Sequence, residues 1–248
     1  MIYALSGDFL KAEEACETEK KIESKTLMSC FFEDAAGIGF HYLRKGMWDR
    51  AREYLEWSIQ IHKERNNVAA ISACYFTLGS LNLEEKKYSE AEKFLLLSLD
   101  ICRKGGNVIF ELWVLPVLCE LYLKIGQIEN ASEYMERGFQ LLNPKQNWYG
   151  LPAPIYLAKA MMATELKNWS IANEFFDKAF ILNKRYELSW DEAKTNYEWG
   201  KMLLRRDKSG YIESAREKFS AAMEIFRRIK AKKEIKKFQQ EIHFNDIV

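Results

Sequence analysis

Residues 126–131 read Gly126-Gln-Ile-Glu-Asn-Ala131, and the same phrase is written five more times along the chain. It recurs as Gly7-Asp-Phe-Leu-Lys-Ala12, Gly46-Met-Trp-Asp-Arg-Ala51, Lys86-Lys-Tyr-Ser-Glu-Ala91, Lys167-Asn-Trp-Ser-Ile-Ala172 and Gly210-Tyr-Ile-Glu-Ser-Ala215. A turn residue opens each phrase, a large apolar residue follows two positions on, and alanine closes it. The alanines stand 39, 40, 40, 41 and 43 residues apart. A period near 40 that survives six times is the mark of a repeat array, in which each unit buries its core against its neighbours.

Each unit reads as two helices. In the second, Phe32, Ala35, Ala36, Gly39, Phe40, Tyr42 and Leu43 recur at spacings of three and four, which gives one apolar helical face. Lys45-Gly46 ends that helix, because glycine accepts the left-handed conformation a helix terminus favours. A second apolar stripe follows: Trp48, Ala51, Tyr54, Leu55, Ser58, Ile59 and His62. Arg65-Asn66-Asn67 makes the turn to the next unit.

The small residues Gly39, Gly79, Cys119, Ala160 and Gly200 on the first helices are expected to face Ala51, Ala91, Ala131, Ala172 and Ala215 on the second. Four of these pairs are twelve residues apart and the last is fifteen, so the turn at 206–210 is longer. Two facing small positions per unit would let the helices of a pair cross closely.

This pattern resembles the tetratricopeptide repeat. Gly39 with Tyr42 and Cys119 with Tyr122 match its first helix. Ala172, Phe176 and Ala179, and again Ala215, Phe219 and Ala222, match its second. The usual unit has about 34 residues, so each helix here is expected to be roughly a turn longer, as in the arrays of MalT-like transcriptional activators. Similar arrays lie at the C-terminal end of large signal-transduction ATPases and nucleotide cyclases.

Two segments, Glu111-Leu-Trp-Val-Leu-Pro-Val-Leu-Cys-Glu-Leu-Tyr-Leu-Lys-Ile-Gly126 and Glu187-Leu-Ser-Trp-Asp-Glu-Ala193, are similar to that group. Lys86 and Lys167 depart from the turn glycine, and Asn82 from the first-helix tyrosine. The resemblance implies an all-α, right-handed α-solenoid of stacked antiparallel helix pairs that serves as a docking surface.

The expected organisation is a single array over residues 1–248. It comprises a stub unit at 1–25, units at 31–66, 68–105, 107–143, 152–185 and 187–230, and a capping helix at 232–242. Only six residues precede Gly7, so the chain is expected either to be a piece of a longer protein or to open on a shortened helix. Ile235, Phe238 and Ile242 recur at helical spacing among lysines in the cap.

Charge and composition narrow the function. Lys and Arg number 37 against 36 Asp and Glu, so the formal net charge of +1 gives no general attraction to nucleic acid or anionic membrane. The basic run Arg227, Arg228, Lys230, Lys232, Lys233, Lys236 and Lys237 reads as a solvated helix face. It lacks the aromatic platforms that single strands stack on. Five cysteines (Cys16, Cys30, Cys74, Cys102 and Cys119) form no C-x-x-C pair and read as small core residues of a reducing compartment. No secretion signal or membrane span is legible, and the expected location is cytoplasmic.

Catalysis has no foothold in the sequence. His41, His62 and His243 stand at no metal-ligand spacing. No nucleophile elbow, phosphate loop or H-E-x-x-H is present. Adjacent carboxylates such as Glu84-Glu85 point in different directions on a helix. A non-enzyme without cofactor or metal is expected.

The resemblance places the first helices on a concave groove. Its inward positions would be Phe40 and Arg44, Phe76 and Ser80, Trp113, Glu120 and Lys124, Met161 and Glu165, and Tyr197, Lys201 and Arg205. Aromatics, Met and Arg are the residue types that anchor interfaces. Packing against neighbouring units is the competing role for the apolar positions. Lys124, Lys201 and Arg205 carry charges that need water or a partner.

Pro116, inside a predicted first helix, is expected to kink it and re-aim Trp113 and Glu120. The expected ligand is a protein or peptide segment, within a sensor or scaffold of a larger signalling or regulatory protein. Self-association and a small effector are the alternative occupants; nucleic acid and membrane are not expected.

Overall fold

The computed structural model describes Lys11, Glu14 and residues 34–241 apart from 144, 147, 207 and 208. The rest of the expected stub, Phe32, Ile242 and His243 lie outside the described residues. Within them stand eleven α-helices and one short 3-10 turn. They are α1 (Asp34–Lys45), α2 (Trp48–Glu64), α3 (Val68–Glu84), α4 (Tyr88–Lys104), α5 (Val108–Lys124) and α6 (Ile128–Leu141). After them come α7 (Pro152–Glu165), α8 (Trp169–Arg185), α9 (Ser189–Arg205), the 3-10 turn (Ser209–Tyr211), α10 (Ile212–Arg228) and α11 (Lys232–Glu241). No strand occurs among the described residues, and consecutive helices form antiparallel pairs, the all-α arrangement the repeat implies.

Two compact lobes meet in the chain at Val114 and Leu115, inside α5. The N-terminal lobe holds α1 to α4 and the first part of α5. The C-terminal lobe holds the rest of α5 and α6 to α11.

One local device ends helix after helix. Gly46 and Gly126 take φ of 77° and Gly106 takes 64°, while Asn66, Lys86, Lys167, Glu187 and Lys230 adopt the same left-handed region. The next residue's N–H then reaches back five positions. Met47 donates to the Tyr42 carbonyl at 2.9 Å, Lys87 to Asn82 at 2.9 Å, Gln127 to Tyr122 at 2.8 Å and Asn168 to Ala163 at 2.8 Å. Carbonyls left without a partner at the helix end are satisfied in this way. Asn67, Asn107 and Asn168 then cap the following helix, each side chain accepting from a backbone N–H three residues on.

Lysine in that left-handed region carries a Cβ clash that glycine lacks. Lys86→Gly and Lys167→Gly are therefore expected to raise unfolding free energy by roughly 0.5 kcal/mol each, the relief of strain exceeding glycine's entropic cost. Gly126→Lys should lower it. Urea midpoints of the three variants check the sign.

The repeat alanines Ala51, Ala91, Ala131, Ala172 and Ala215 are fully buried, as are Phe176 and Phe219. The first-helix glycines also admit a large residue that the sequence reading did not pair with them. A Cβ on Gly39 would meet Leu55 before anything else, one on Gly79 would meet Leu95, and one on Gly200 would meet the Phe219 ring. Each of these partners sits four residues after the repeat alanine. A helical side chain leans toward its own N-terminus and covers the turn before it. The large residue therefore fills the space above the alanine, and the glycine is flat to admit it.

Pro116 does not interrupt α5, which continues to Lys124. The helix lacks the bond from position 116 to the Leu112 carbonyl, two residues past the junction of the lobes.

Candidate functional site

In the N-terminal lobe the expected inward residues pack on one another. Phe40 and Phe76 are buried, and the Trp113 ring stands edge-on to both, at 6.5 Å and 83° to Phe40 and at 6.2 Å and 70° to Phe76. Three successive first helices, α1, α3 and α5, thus share one aromatic cluster, in the edge-to-face geometry that ring quadrupoles favour. The Arg44 guanidinium lies 4.7 Å from the Phe40 centroid. Ser80 donates to the Phe76 carbonyl at 2.9 Å, a bond inside its own helix. Phe40 and Phe76 are covered by this packing, and Trp113, half-buried, remains the aromatic with surface to offer.

The C-terminal lobe sets charges where the first lobe sets rings. Glu120 on α5 is buried, and its carboxylate meets Lys194 Nζ at 2.6 Å and Lys124 Nζ at 3.3 Å. Burial alone would raise the pKa of this carboxyl. The Lys194 and Lys124 charges, with the Lys194 hydrogen bond, outweigh burial and hold it well below the usual carboxylate range. Glu165 on α7 takes a two-pronged pair from Arg205 on α9, Nη1 to Oε1 and Nη2 to Oε2, the latter at 2.7 Å. That hydrogen bond lowers the Glu165 pKa and raises that of Arg205. Lys201 Nζ meets Glu198 at 3.0 Å. Lys124, Lys201 and Arg205 therefore each have a carboxylate partner within the chain.

Between α5, α7 and α9 these residues surround a pocket of about 110 Å³. Leu123, Met161, Met202 and Phe176 supply its apolar lining, and Lys124, Glu165, Glu198, Lys201 and Arg205 its charged one. Five of the residues expected from sequence meet here: Lys124, Met161, Glu165, Lys201 and Arg205. Glu120, paired with Lys124, is not part of the lining. Tyr197 also stands apart, because Phe238 of α11 covers it at 5.1 Å and Phe219 closes its flank at 6.1 Å. The cap, rather than a partner, takes that ring.

Sequence reading missed Lys194 and Glu198, the counterions of Glu120 and Lys201. A signal was present: 194, 198, 201 and 205 form one stripe at spacings of four, three and four along α9.

Among the described residues no group of three or more His, Cys, Asp or Glu could hold a metal ion. Burial pushes the Cys74 and Cys119 thiols up to about 12, which leaves no thiolate near neutral pH. No helix among the described residues is long and apolar enough to cross a membrane.

Residues 32–104 match the tetratricopeptide repeat family. A search of the curated proteins gives no match. Among solved structures, the chain is similar to BtubC (BKLC) from P. vanneervenii, with 15% identity and a TM-score of 0.57 over 95% of this chain and 92% of that one. It is also similar to a Podosopora anserina protein of nearly identical TPR-like repeats, provisionally called a kinesin light chain. There the identity is 16% and the TM-score 0.51, over 78% of this chain and 93% of that one. The family match and these folds support a tetratricopeptide-type array. Such repeats are typically non-catalytic modules for protein–protein interaction, and no enzyme family is indicated.

Proposed function

We propose that this chain is a non-enzymatic docking array, one domain of the long-repeat type, that captures a protein segment on its first helices. The carrying observation is the pocket of about 110 Å³ between α5, α7 and α9. It offers an apolar lining with charges of both signs, the composition of a subsite for one amphipathic side chain of a partner. Its size falls well below the roughly 300–1,000 Å³ of small-molecule sites, so it suits one side chain rather than a whole effector. In a larger signalling or regulatory protein, in the cytoplasm, such a surface would act as scaffold or sensor.

Reversing the charge of both Lys201 and Arg205 to Glu should weaken partner capture by tenfold or more, because each leaves a carboxylate facing its former partner. Side-by-side pull-downs with wild type, the double variant and the exposed control Glu133→Ala test this. Equal recovery of the same proteins by all three removes the pocket from the binding face.

Self-association is a second reading. Trp57 on α2 is 48% exposed and Leu97 on α4 is 39% exposed, at equivalent positions one repeat apart. Exposed apolar residues repeated at one position of successive units are the kind of feature a second copy could cover. Light scattering at rising concentration decides it: a constant monomer mass removes this reading, and Trp57→Glu should shift any dimer toward monomer.

A further inference from the structure

Three residues after the repeat alanine the chain carries an aromatic in four pairs: Tyr54, Phe94, Tyr134 and Phe175. Three of these pack against a first-helix ring, Phe94 on Tyr75 at 5.8 Å, Tyr134 on Tyr122 at 5.4 Å and Phe175 on Tyr156 at 5.7 Å. In the last pair the position is Lys218. Its ammonium takes the place of the ring, 3.5 Å from the Trp199 centroid and 5.1 Å from the Phe180 centroid.

Those π faces are all that hold it. Among the described residues Lys218 makes no hydrogen bond and no salt bridge, although the side chain is half-buried. Burial works against its charge, and Asp177 and Glu217 offset that only in part. A primary ammonium is strongly hydrated and carries three N–H donors, so this setting suits it poorly.

The walls, by contrast, are fixed. Phe176 lies nearly parallel to Trp199 at 5.8 Å, and the Trp199 indole N–H donates to Asn173 Oδ1 at 3.0 Å. Of the other cations nearby, Lys184 lies 5.8 Å from the Phe180 centroid.

We propose that Trp199 and Phe180 form a recognition slot for an N-methylated lysine of a protein partner, with Lys218 as its built-in occupant. Ring faces attract cations, and aromatic cages recognise methylated ammonium groups. A trimethylated ammonium has no N–H to leave unpaired, and its methyls bury apolar surface on the two rings. Lys218 shows that the slot admits an aliphatic stem ending in a cation. Asp177 and Glu217 supply the negative field a charged guest needs. The slot is built on α8, α9 and α10, and Phe176, which stacks on Trp199, also lines the pocket between α5, α7 and α9.

Lys218→Ala empties the slot. Tetramethylammonium chloride should then raise the Tm of that variant by about 2 °C or more beyond the same concentration of sodium chloride, as a ligand that binds the folded state does. Wild type, in which Lys218 must first leave the slot, should respond in the same sense but more weakly, whereas Lys218→Met, whose apolar side chain fills the slot, should respond equally to the two salts. An equal response in Lys218→Ala overturns the proposal, and so does a wild type that gains nothing at any concentration or gains as much as the variant. Should Lys218→Ala be unfolded at the start, the readout is helical ellipticity regained with tetramethylammonium but not sodium, and no regain overturns it too. N-acetyl trimethyl-lysine amide should act at lower concentration than phosphocholine. The reverse order would overturn the assignment to a lysine in favour of a lipid headgroup.

Discussion

Replacing Gly79 by alanine is expected to destabilise the fold by about 2 kcal/mol, although alanine is the better helix former by roughly 1 kcal/mol. The reason is the close approach of α3 and α4. A Cβ at position 79 would stand 2.6 Å from Leu95 Cγ and 3.2 Å from the Leu95 backbone nitrogen. Leu95 is fully buried, so it has no free volume to retreat into. The second helix must shift as a body.

Leu95→Ala alone removes buried methyl groups and should cost roughly 2–5 kcal/mol through the cavity it leaves. Together the changes should cost at least ~1 kcal/mol less than their sum, because the added methyl occupies part of the cavity. Chemical denaturation of the two single variants and the double variant completes the cycle. Additivity within about 0.5 kcal/mol would show that the two residues do not share the space assigned to them.

Loss of the Glu120 carboxylate should be the second large effect. Glu120→Ala leaves Lys194, whose side chain is 21% exposed, without its 2.6 Å partner. Stranding one member of a buried pair costs several kcal/mol; partial access of Lys194 to water lowers the expectation to about 2–3 kcal/mol. The pH dependence identifies the cause. Because the folded pKa of Glu120 is held below the ordinary carboxyl value of 4.5, the pair's contribution is fully present above that pH. It is lost as acidification proceeds through the lower folded value. The stability of wild type should therefore fall more steeply below pH 4.5 than that of Glu120→Gln, which has no proton to take up. Parallel acid limbs in the two proteins would mean that Glu120 is not ionised in the fold.

These two sites mark how far the sequence could be read. The spacing of Ala51, Ala91, Ala131, Ala172 and Ala215 carries the period. The spacing of three and four around Phe40 and Leu43 carries the helices. The glycines at 46 and 126 carry the turns. All are local signals, set by helix geometry and by the backbone freedom of single residues. Even Lys86 and Lys167, which break the glycine pattern, adopt φ of 62° and 56° because both flanking helices demand it. Of the pocket lining, Lys124, Met161, Glu165, Lys201 and Arg205 were legible through the resemblance to the repeat.

What register could not supply was the partner of each side chain. Gly79 meets Leu95 most closely because side chains lean along their helix. Glu120 meets Lys194, 74 residues away, because α5 and α9 come within reach of each other in the folded lobe. Tyr197 is lost to a partner because α11 folds Phe238 onto it. Lys218 stands where the repeat elsewhere has a ring, an exception visible in the letters, yet only the placement of Trp199 at 3.5 Å gives it meaning. Helix, turn and period are properties of neighbouring residues, and the sequence holds them in full. The charge pairs, the pocket and the cation slot belong to residues brought together by stacking, and they came into view with the packed helices.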